Sequence, residues 1–371
     1  MTRNFATPHV EGHAARQAHA DIPAGSFERE IGRDGFAGPA AHMYHRNPPT
    51  AWLSVEGPIR PRAFNPGGVA GAAASPFAAM NLLGNASLGI RFWRAERSMD
   101  HLARNADGDD LLFVHRGRGA LFCDYGRLSF VEGDYLLLPR GTSYRLSPTS
   151  PSRLLVIEAF SEVSFPEKGM LGQHALFDPA VLQVPTPEAS SLQANAAGEW
   201  ELRIMQQGEM TKVFYPFNPH DVVGWKGTLA ALKLNVRDIR PVLSDRYHLP
   251  PSAHSTFIMH NAVVCSFLPR PLENGDPVAL KVPFYHSNID FDEVLFYHSG
   301  DFFSRAGIAP GMLTFHPQGI HHGPQQKAFE RSRAATRTEE VAVMLDTKRP
   351  LKVLSPAAPT EITEYWKSWK E

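Results

Sequence analysis

The chain has 371 residues, 43% of them hydrophobic, enough apolar material for two cores and too much for a disordered polypeptide. Lysine and arginine number 37 against 38 aspartates and glutamates, so there is neither a basic field for nucleic acid nor an acidic tail. No apolar run reaches the roughly 18 residues of a membrane-spanning helix, and the opening residues lack the apolar stretch of a leader, so a cytoplasmic protein is expected.

Residues 1–75 carry few periodic segments and read as an N-terminal arm with loops, the Gly/Ala/Pro-rich stretch 65–75 being the most open part. From Gly89 the pattern changes to short β-type runs at 111–115, 120–125, 135–139 and 154–160. Turn signals separate them, among them Arg116-Gly-Arg-Gly119, Glu132-Gly-Asp134 and Arg140-Gly141. Residues 161–200 suit a connecting segment. A second β-rich stretch opens near Trp200, with runs at 212–215, 262–268, 294–298 and 312–315. Helical periodicity is scarce, apart from a short turn expected at 361–370. The expected division is an arm (1–75), a first barrel (76–195), a second barrel (196–350) and a tail (351–371). Cys123 and Cys265 each sit beside large apolar residues and read as buried thiols of a reducing compartment.

The two halves resemble each other. In the second, Glu293 is followed seven residues later by Gly300, then by Gly311-Met-Leu-Thr-Phe-His-Pro317-Gln-Gly319-Ile-His-His322. In the first, Asp110 is followed seven residues later by Gly117, then by Gly133-Asp-Tyr-Leu-Leu-Leu-Pro139-Arg-Gly141-Thr-Ser-Tyr144. Both match the two-part cupin signature, which implies an all-β bicupin: two jelly-roll-like barrels preceded by an arm.

Only the second copy keeps metal-binding residues. His286-Ser-Asn288-Ile-Asp-Phe-Asp-Glu293 matches His-x-His-x4-Glu except that Asn288 replaces the second histidine, and His322 closes the second motif. Two neutral imidazoles and one carboxylate on one side of an ion form the facial triad of non-haem Fe(II) oxygenases, leaving the opposite side open. Asp292 is a rival carboxylate, although the spacing to Gly300 favours Glu293. Aligning Asp110 with Glu293 sets Ala103 opposite His286 and Tyr144 opposite His322, so the first barrel is expected to be metal-free.

These residues resemble the homogentisate 1,2-dioxygenase family from about residue 20 to about 335. Arg104-Asn-Ala-Asp-Gly-Asp-Asp110, Tyr215-Pro-Phe-Asn-Pro-His-Asp-Val-Val-Gly-Trp-Lys-Gly227, Tyr285-His-Ser-Asn288 and His322-Gly-Pro324 carry the resemblance. It implies that His286, Glu293 and His322 hold Fe(II), and that His248, in Arg246-Tyr-His-Leu-Pro-Pro-Ser252, acts on a substrate hydroxyl. It also implies that His316 lines the pocket. Where the family has His-Tyr and then a lysine after the barrel glycine, this chain has Asp301-Phe302 and then Arg305. Phe302 and Arg305 are thus expected at the substrate, the arginine able to hold a carboxylate through two hydrogen bonds. The resulting expectation is an Fe(II)-dependent dioxygenase that opens a para-dihydroxylated aromatic ring with both atoms of O2. Trimers or pairs of trimers are implied, and neither nucleic acid nor membrane is expected as a partner. The alternatives are a dioxygenase for gentisate or a substituted hydroquinone, a Zn or Mn cupin isomerase or hydrolase, and a bicupin that binds a small molecule without turnover.

Overall fold

A computed structural model describes residues 9–188, 198–281, 284–302, 305, 307–332 and 334–370. The chain is all-β and cupin-like, with one described α-helix, Gln326–Ser332, and several 3-10 turns. The β-type runs seen in the sequence correspond to strands Asp109–Arg116, Gly119–Cys123, Asp134–Leu138 and Ser152–Ala159 in the first half. In the second they correspond to Glu209–Tyr215, Ala262–Phe267, Asp292–Ser299 and Leu313–His316.

The first unit is a sandwich. Its seven-stranded sheet has Ser152–Ala159 at the centre, with Asp109–Arg116 beside it and Asp134–Leu138 next beyond, and faces a six-stranded sheet built around Ser143–Pro148. Leu112, Val114, Leu136 and Val156 point into the core between those sheets, with Trp93, Leu121 and Leu146. Their strand neighbours Leu111, Phe113, Leu137 and Ile157 point the other way, into a larger core shared with Phe257, Val264, Val294, Phe296, Val343 and Leu345 of the second unit. The sheet is therefore covered on both faces, which is why the run Leu111-Leu-Phe-Val114 is continuously apolar instead of alternating.

The second unit's six-stranded sheet runs in the order Ser255–Met259, Ala262–Phe267, Val341–Thr347, Asp292–Ser299, Leu313–His316 and Arg62–Phe64. Across from it, Tyr285–Asn288 pairs in parallel with Phe27–Gly32, which pairs antiparallel with Ala40–His45. The arm thus supplies strands to the second unit, with Glu30 in register with His286. The strands after residue 196 go the other way. Trp200–Gln206 pairs in parallel with Leu102–Asn105, and Leu232–Asn235 pairs with Asp134–Leu138, so residues 200–235 complete sheets of the first unit where the sequence suggested the start of the second. Residue pattern identifies a strand but not a partner a hundred residues away. The tail is not peripheral either: Lys352–Val353 pairs with Met80–Gly84, and Tyr365–Trp369 forms the expected turn with both terminal aromatic residues buried.

The repeat in the sequence is a repeat in register. Ala103 lies opposite Tyr144 as His286 lies opposite His322, and Asp110 faces Glu158 as Glu293 faces Asp346. Both barrel glycines, Gly117 and Gly300, have φ near +95° (97° and 94°) and lie against a neighbouring backbone that leaves no room for a Cβ. In the first unit the Tyr144 hydroxyl donates to Asp110 Oδ2 at 3.1 Å and Asn105 Nδ2 to Oδ1 at 2.9 Å, linking the positions that histidine and glutamate occupy in the second. Burial, and then the nearby Glu158 charge, push the Asp110 carboxyl up to about 6.

Tyr144→Phe removes a donor from this buried carboxyl. It is expected to cost about 1–3 kcal/mol of unfolding free energy, read by denaturant titration, without changing metal content. A drop in bound metal would mean that the first unit holds an ion.

Candidate metal centre

Strand pleating builds the site. Along Asp292–Ser299, Val294 and Phe296 point into the core between the units, which turns Glu293, Leu295 and Tyr297 to the opposite face. Asp292 shares the face of Val294, and its carboxylate is committed elsewhere: Oδ1 accepts from Gln318 N at 2.8 Å and Oδ2 from Leu351 N at 2.6 Å. Glu293 is the carboxylate that meets the histidines.

His286, Glu293 and His322 offer ligand atoms that all lie within 4.8 Å of one another, and all three are buried. His286 and His322 exchange backbone hydrogen bonds of 2.8 and 2.9 Å, which fixes their mutual placement before any ion binds. The His286 Nδ1–H donates to Phe284 O at 2.9 Å, so its Nε2 carries a lone pair, 3.6 Å from Glu293 Oε2. His322 Nε2 lies 3.2 Å from Glu293 Oε1. Among the described residues neither Nε2 has a hydrogen-bond partner. Two buried imidazole nitrogens without a donor or acceptor, converging on a carboxylate, fit a divalent cation and are costly without one. Burial drives His322 well below the usual imidazole range. It would raise the Glu293 carboxyl, but the surrounding histidines, with His316 donating a hydrogen bond to it, hold that group well below the carboxylate range. Both side chains are thus in their ligating protonation states at neutral pH.

Gly323 is required by close approach. A Cβ there would lie 2.6 Å from Tyr285 Cδ1 and 2.8 Å from its Cα, pushing the His322 segment off the Tyr285–Asn288 strand. Its carbonyl accepts from the Arg305 guanidinium at 2.9 Å and from Trp369 Nε1 at 3.0 Å.

A cavity of about 80 Å³ adjoins the triad, with His286 and Glu293 in its wall. His248 and Arg305 line it. Among the described lining residues, His316 and Phe302 are missing. His316 is fully buried behind the triad, where its Nδ1–H donates to Glu293 Oε1 at 2.7 Å and its ring stacks on His322 with centroids 4.4 Å apart. It orients the carboxylate from the side away from the cavity. Phe302 packs edge-on against Tyr297, centroids 4.9 Å apart, in an apolar cluster with Ala342. The motif gave each residue its place along the chain but not the direction of its side chain.

Several residues of the site have no sequence signal of their own. Glu273 accepts from His248 Nδ1 at 3.1 Å and from Arg270 at 3.2 Å, fixing the histidine tautomer so that Nε2 is the acceptor. Burial lowers His248 below the usual range, with Glu273 opposing, so the imidazole is neutral at pH 7. Glu340 lines the same cavity. Burial pushes its carboxyl up to about 7, against the charges of Arg305 and Arg270. Tyr365 and Trp369 close the back of the site, the Tyr365 hydroxyl 3.5 Å from His316 Nε2. Three aromatics among charged residues in Tyr365-Trp-Lys-Ser-Trp369 were the one available hint of a docked tail.

His286→Ala, Glu293→Ala and His322→Ala are each expected to lower metal stoichiometry by at least ~10-fold while the circular dichroism spectrum stays unchanged, because the sheet ladders do not need the ion. Elemental analysis of the purified variants measures this, and full occupancy in any of them would remove that residue from the ligand set.

A model of the homogentisate 1,2-dioxygenase N-terminal region matches residues 72–236, the stretch that the strand pairings unite as the first unit. Over 386 aligned positions, covering 97% of this chain and 98% of the other, the sequence is 32% identical to "Putative dioxygenase SSO1533" of Saccharolobus solfataricus. It is 25% identical over 283 positions to the homogentisate 1,2-dioxygenase of Bradyrhizobium diazoefficiens, covering 72% of this chain and 62% of that enzyme. Among solved structures, a cupin 2 conserved barrel domain protein from Leptotrichia buccalis aligns with 77% of this chain and 96% of its own, at 10% identity and a TM-score of 0.35. The full-length match at 32% identity and the family model over the first unit together establish that this chain belongs to the homogentisate 1,2-dioxygenase family, as a divergent member.

Proposed function

We propose that the protein is an Fe(II)-dependent dioxygenase that opens the ring of a para-dihydroxylated aromatic compound of the homogentisate type, with Fe(II) held by His286, Glu293 and His322. The observation that carries this reading is the pair of unpartnered Nε2 atoms meeting one carboxylate at the wall of a cavity that also holds a buried, neutral His248. The dioxygenase name of the full-length relative supports it. Two histidines and one carboxylate leave the cavity side open for substrate and O2. Bound there, Fe(II) supplies the Lewis acidity and redox chemistry by which a phenol reacts with dioxygen.

The protein's own part follows from its side chains. Leu249, Phe267, Leu268, Phe284, Leu295 and Met344 give the cavity apolar walls that orient a ring and keep bulk water away. His248 accepts the proton of a ring hydroxyl at Nε2, and the Glu273 carboxylate, 3.1 Å from Nδ1, stabilises the imidazolium that results. Arg305 and Arg270 place positive charge where a side-chain carboxylate of the substrate can pair with it.

Oxygen-electrode assays of the anaerobically iron-loaded protein with homogentisate, gentisate and plain hydroquinones test the reading. Oxygen uptake with iron but not with zinc is expected, and its absence with every para-diol would reject it. His248→Asn should keep iron and lower turnover by roughly 10²-fold or more, the usual scale of a lost general base; loss of iron would instead make it a ligand. Arg305→Ala should cost on the order of 2–5 kcal/mol in kcat/KM for a carboxylated substrate and less for an unsubstituted hydroquinone. Equal losses for both would show that Arg305 does not read the carboxylate. Glu340, with its carboxyl at about 7, is neutral below that pH and negative above it. KM for the carboxylated substrate should therefore rise on the order of tenfold as pH passes upward through 7, the effect of one charge about 10 Å away at an effective dielectric of about 20. Glu340→Gln should flatten that profile, and an unchanged profile would place the titration elsewhere.

A further inference from the structure

A second cluster of ligating groups lies on the arm, one strand away from the triad. Glu28 and Glu30 are two residues apart on Phe27–Gly32 and so share a face, and His42 sits in register with Glu30 on the neighbouring strand Ala40–His45. His19 comes from the segment before them. Its carbonyl accepts from Leu280 N at 2.8 Å, and its backbone adopts a φ of +59°, unusual for a residue with a side chain. Its own N–H donates to both oxygens of Glu28, at 3.2 and 3.1 Å. The side chains of His19, Glu28 and Glu30 are only 4%, 0% and 11% exposed, and Phe284 stacks on the His19 ring at 3.9 Å.

The order of the contacts within the cluster is informative. His19 Nδ1 lies 2.9 Å from Glu28 Oε2 and His42 Nδ1 lies 3.1 Å from Glu28 Oε1. Both Nε2 atoms face the other carboxylate, Glu30 Oε2, at 3.3 and 3.6 Å. The His19 Nδ1 contact to Glu28 Oε2 is a hydrogen bond, so a cation seated between them takes the place of that proton. The His42 Nδ1 is buried and, among the described residues, has no hydrogen-bond partner, since its approach to Glu28 is not that of a hydrogen bond. No lysine or arginine pairs with Glu28 or Glu30 among the described residues, so the two carboxylates have only imidazoles to balance them. The ligand atoms of His19, Glu28 and His42 all lie within 4.8 Å of one another.

We infer that His19, Glu28 and His42 form a second metal site, for a borderline divalent ion of the Zn(II) type, with Glu30 as an outer carboxylate beside both imidazoles. Two nitrogens and a carboxylate oxygen suit such an ion, and an acceptor behind each ligating histidine is the usual support. A divalent ion also cancels the charge of the two buried carboxylates. The half-exposed side of His42, 23% accessible, leaves a fourth position to water. Bound there, the ion ties the segment before the arm hairpin to the strand that pairs with His286.

The test is Zn(II) titration of the chelator-stripped full-length protein by calorimetry, with elemental analysis, in wild type, His42→Ala, Glu28→Gln and His322→Ala. Wild type should take up two ions per chain, and His42→Ala and Glu28→Gln should each weaken one of them by ~100-fold or more, beyond the 10–100-fold of a lost outer partner. His322→Ala should weaken only the other. His42 is partly accessible and Glu28→Gln keeps side-chain shape, so at least one of the two tests a folded chain. Wild type with a single ion that depends on His322 and survives both arm variants would overturn the inference and leave the triad reading intact. A single ion that depends on His42 and not on His322 would do the reverse.

Discussion

The apolar contact between the two central sheets is what the rest of the molecule depends on. Leu111, Phe113 and Ile157 on one side meet Val264, Val294, Phe296, Val343 and Leu345 on the other. Because strand side chains alternate, committing Val294 and Phe296 to that contact forces Glu293, Leu295 and Tyr297 to the far face. A slip of one residue would bury Glu293 in hydrocarbon and hand Asp292 to the cavity. The hydrophobic interface thus selects which carboxylate meets the histidines, although it lies on the opposite face of the strand.

The two units are copies that solved one structural problem differently. At equivalent register positions, the second places His286, Glu293 and His322, and the first places Ala103, Asp110 and Tyr144. A cluster of inward-facing polar groups needs a partner for each. In one copy a hydroxyl and an amide satisfy the carboxylate directly. In the other, two imidazole nitrogens have no protein partner among the described residues. The first copy is then free to serve as a support, and it does so by presenting a sheet buried on both faces.

What the sequence made legible follows from how far each feature is constrained locally. Turn glycines and alternating runs locate strands because they act within a few residues, and the grouping of His286, Glu293 and His322 was legible because two spacing motifs bracket it. Spacing to Gly300 favoured Glu293 over Asp292, and the direction of the pleat, set by a distant sheet, decides between them. The same limit misplaced His316 and Phe302, which sit where the family pattern puts them in the chain but face away from the cavity. A β-rich stretch opening near Trp200 was readable, yet Trp200–Gln206 and Leu232–Asn235 have their partners in the first unit. Glu273 and Tyr365 come from segments that no motif governs and reach the site through tertiary packing.

The parallel pairing of Phe27–Gly32 with Tyr285–Asn288 also shapes how the protein is made. Glu30 and His286 are register partners 256 positions apart (286 − 30), so the arm strand has no parallel neighbour until most of the chain has been synthesised. At the roughly 5–20 residues per second of translation, that wait is about 13–50 seconds, far longer than hairpin formation in microseconds. During it, Phe27–Gly32 and Ala40–His45 can form only a two-stranded ribbon, which is marginal in water by itself. The nascent chain therefore carries an open strand edge through nearly its whole emergence, and shielding that edge is a task for the cell's chaperones.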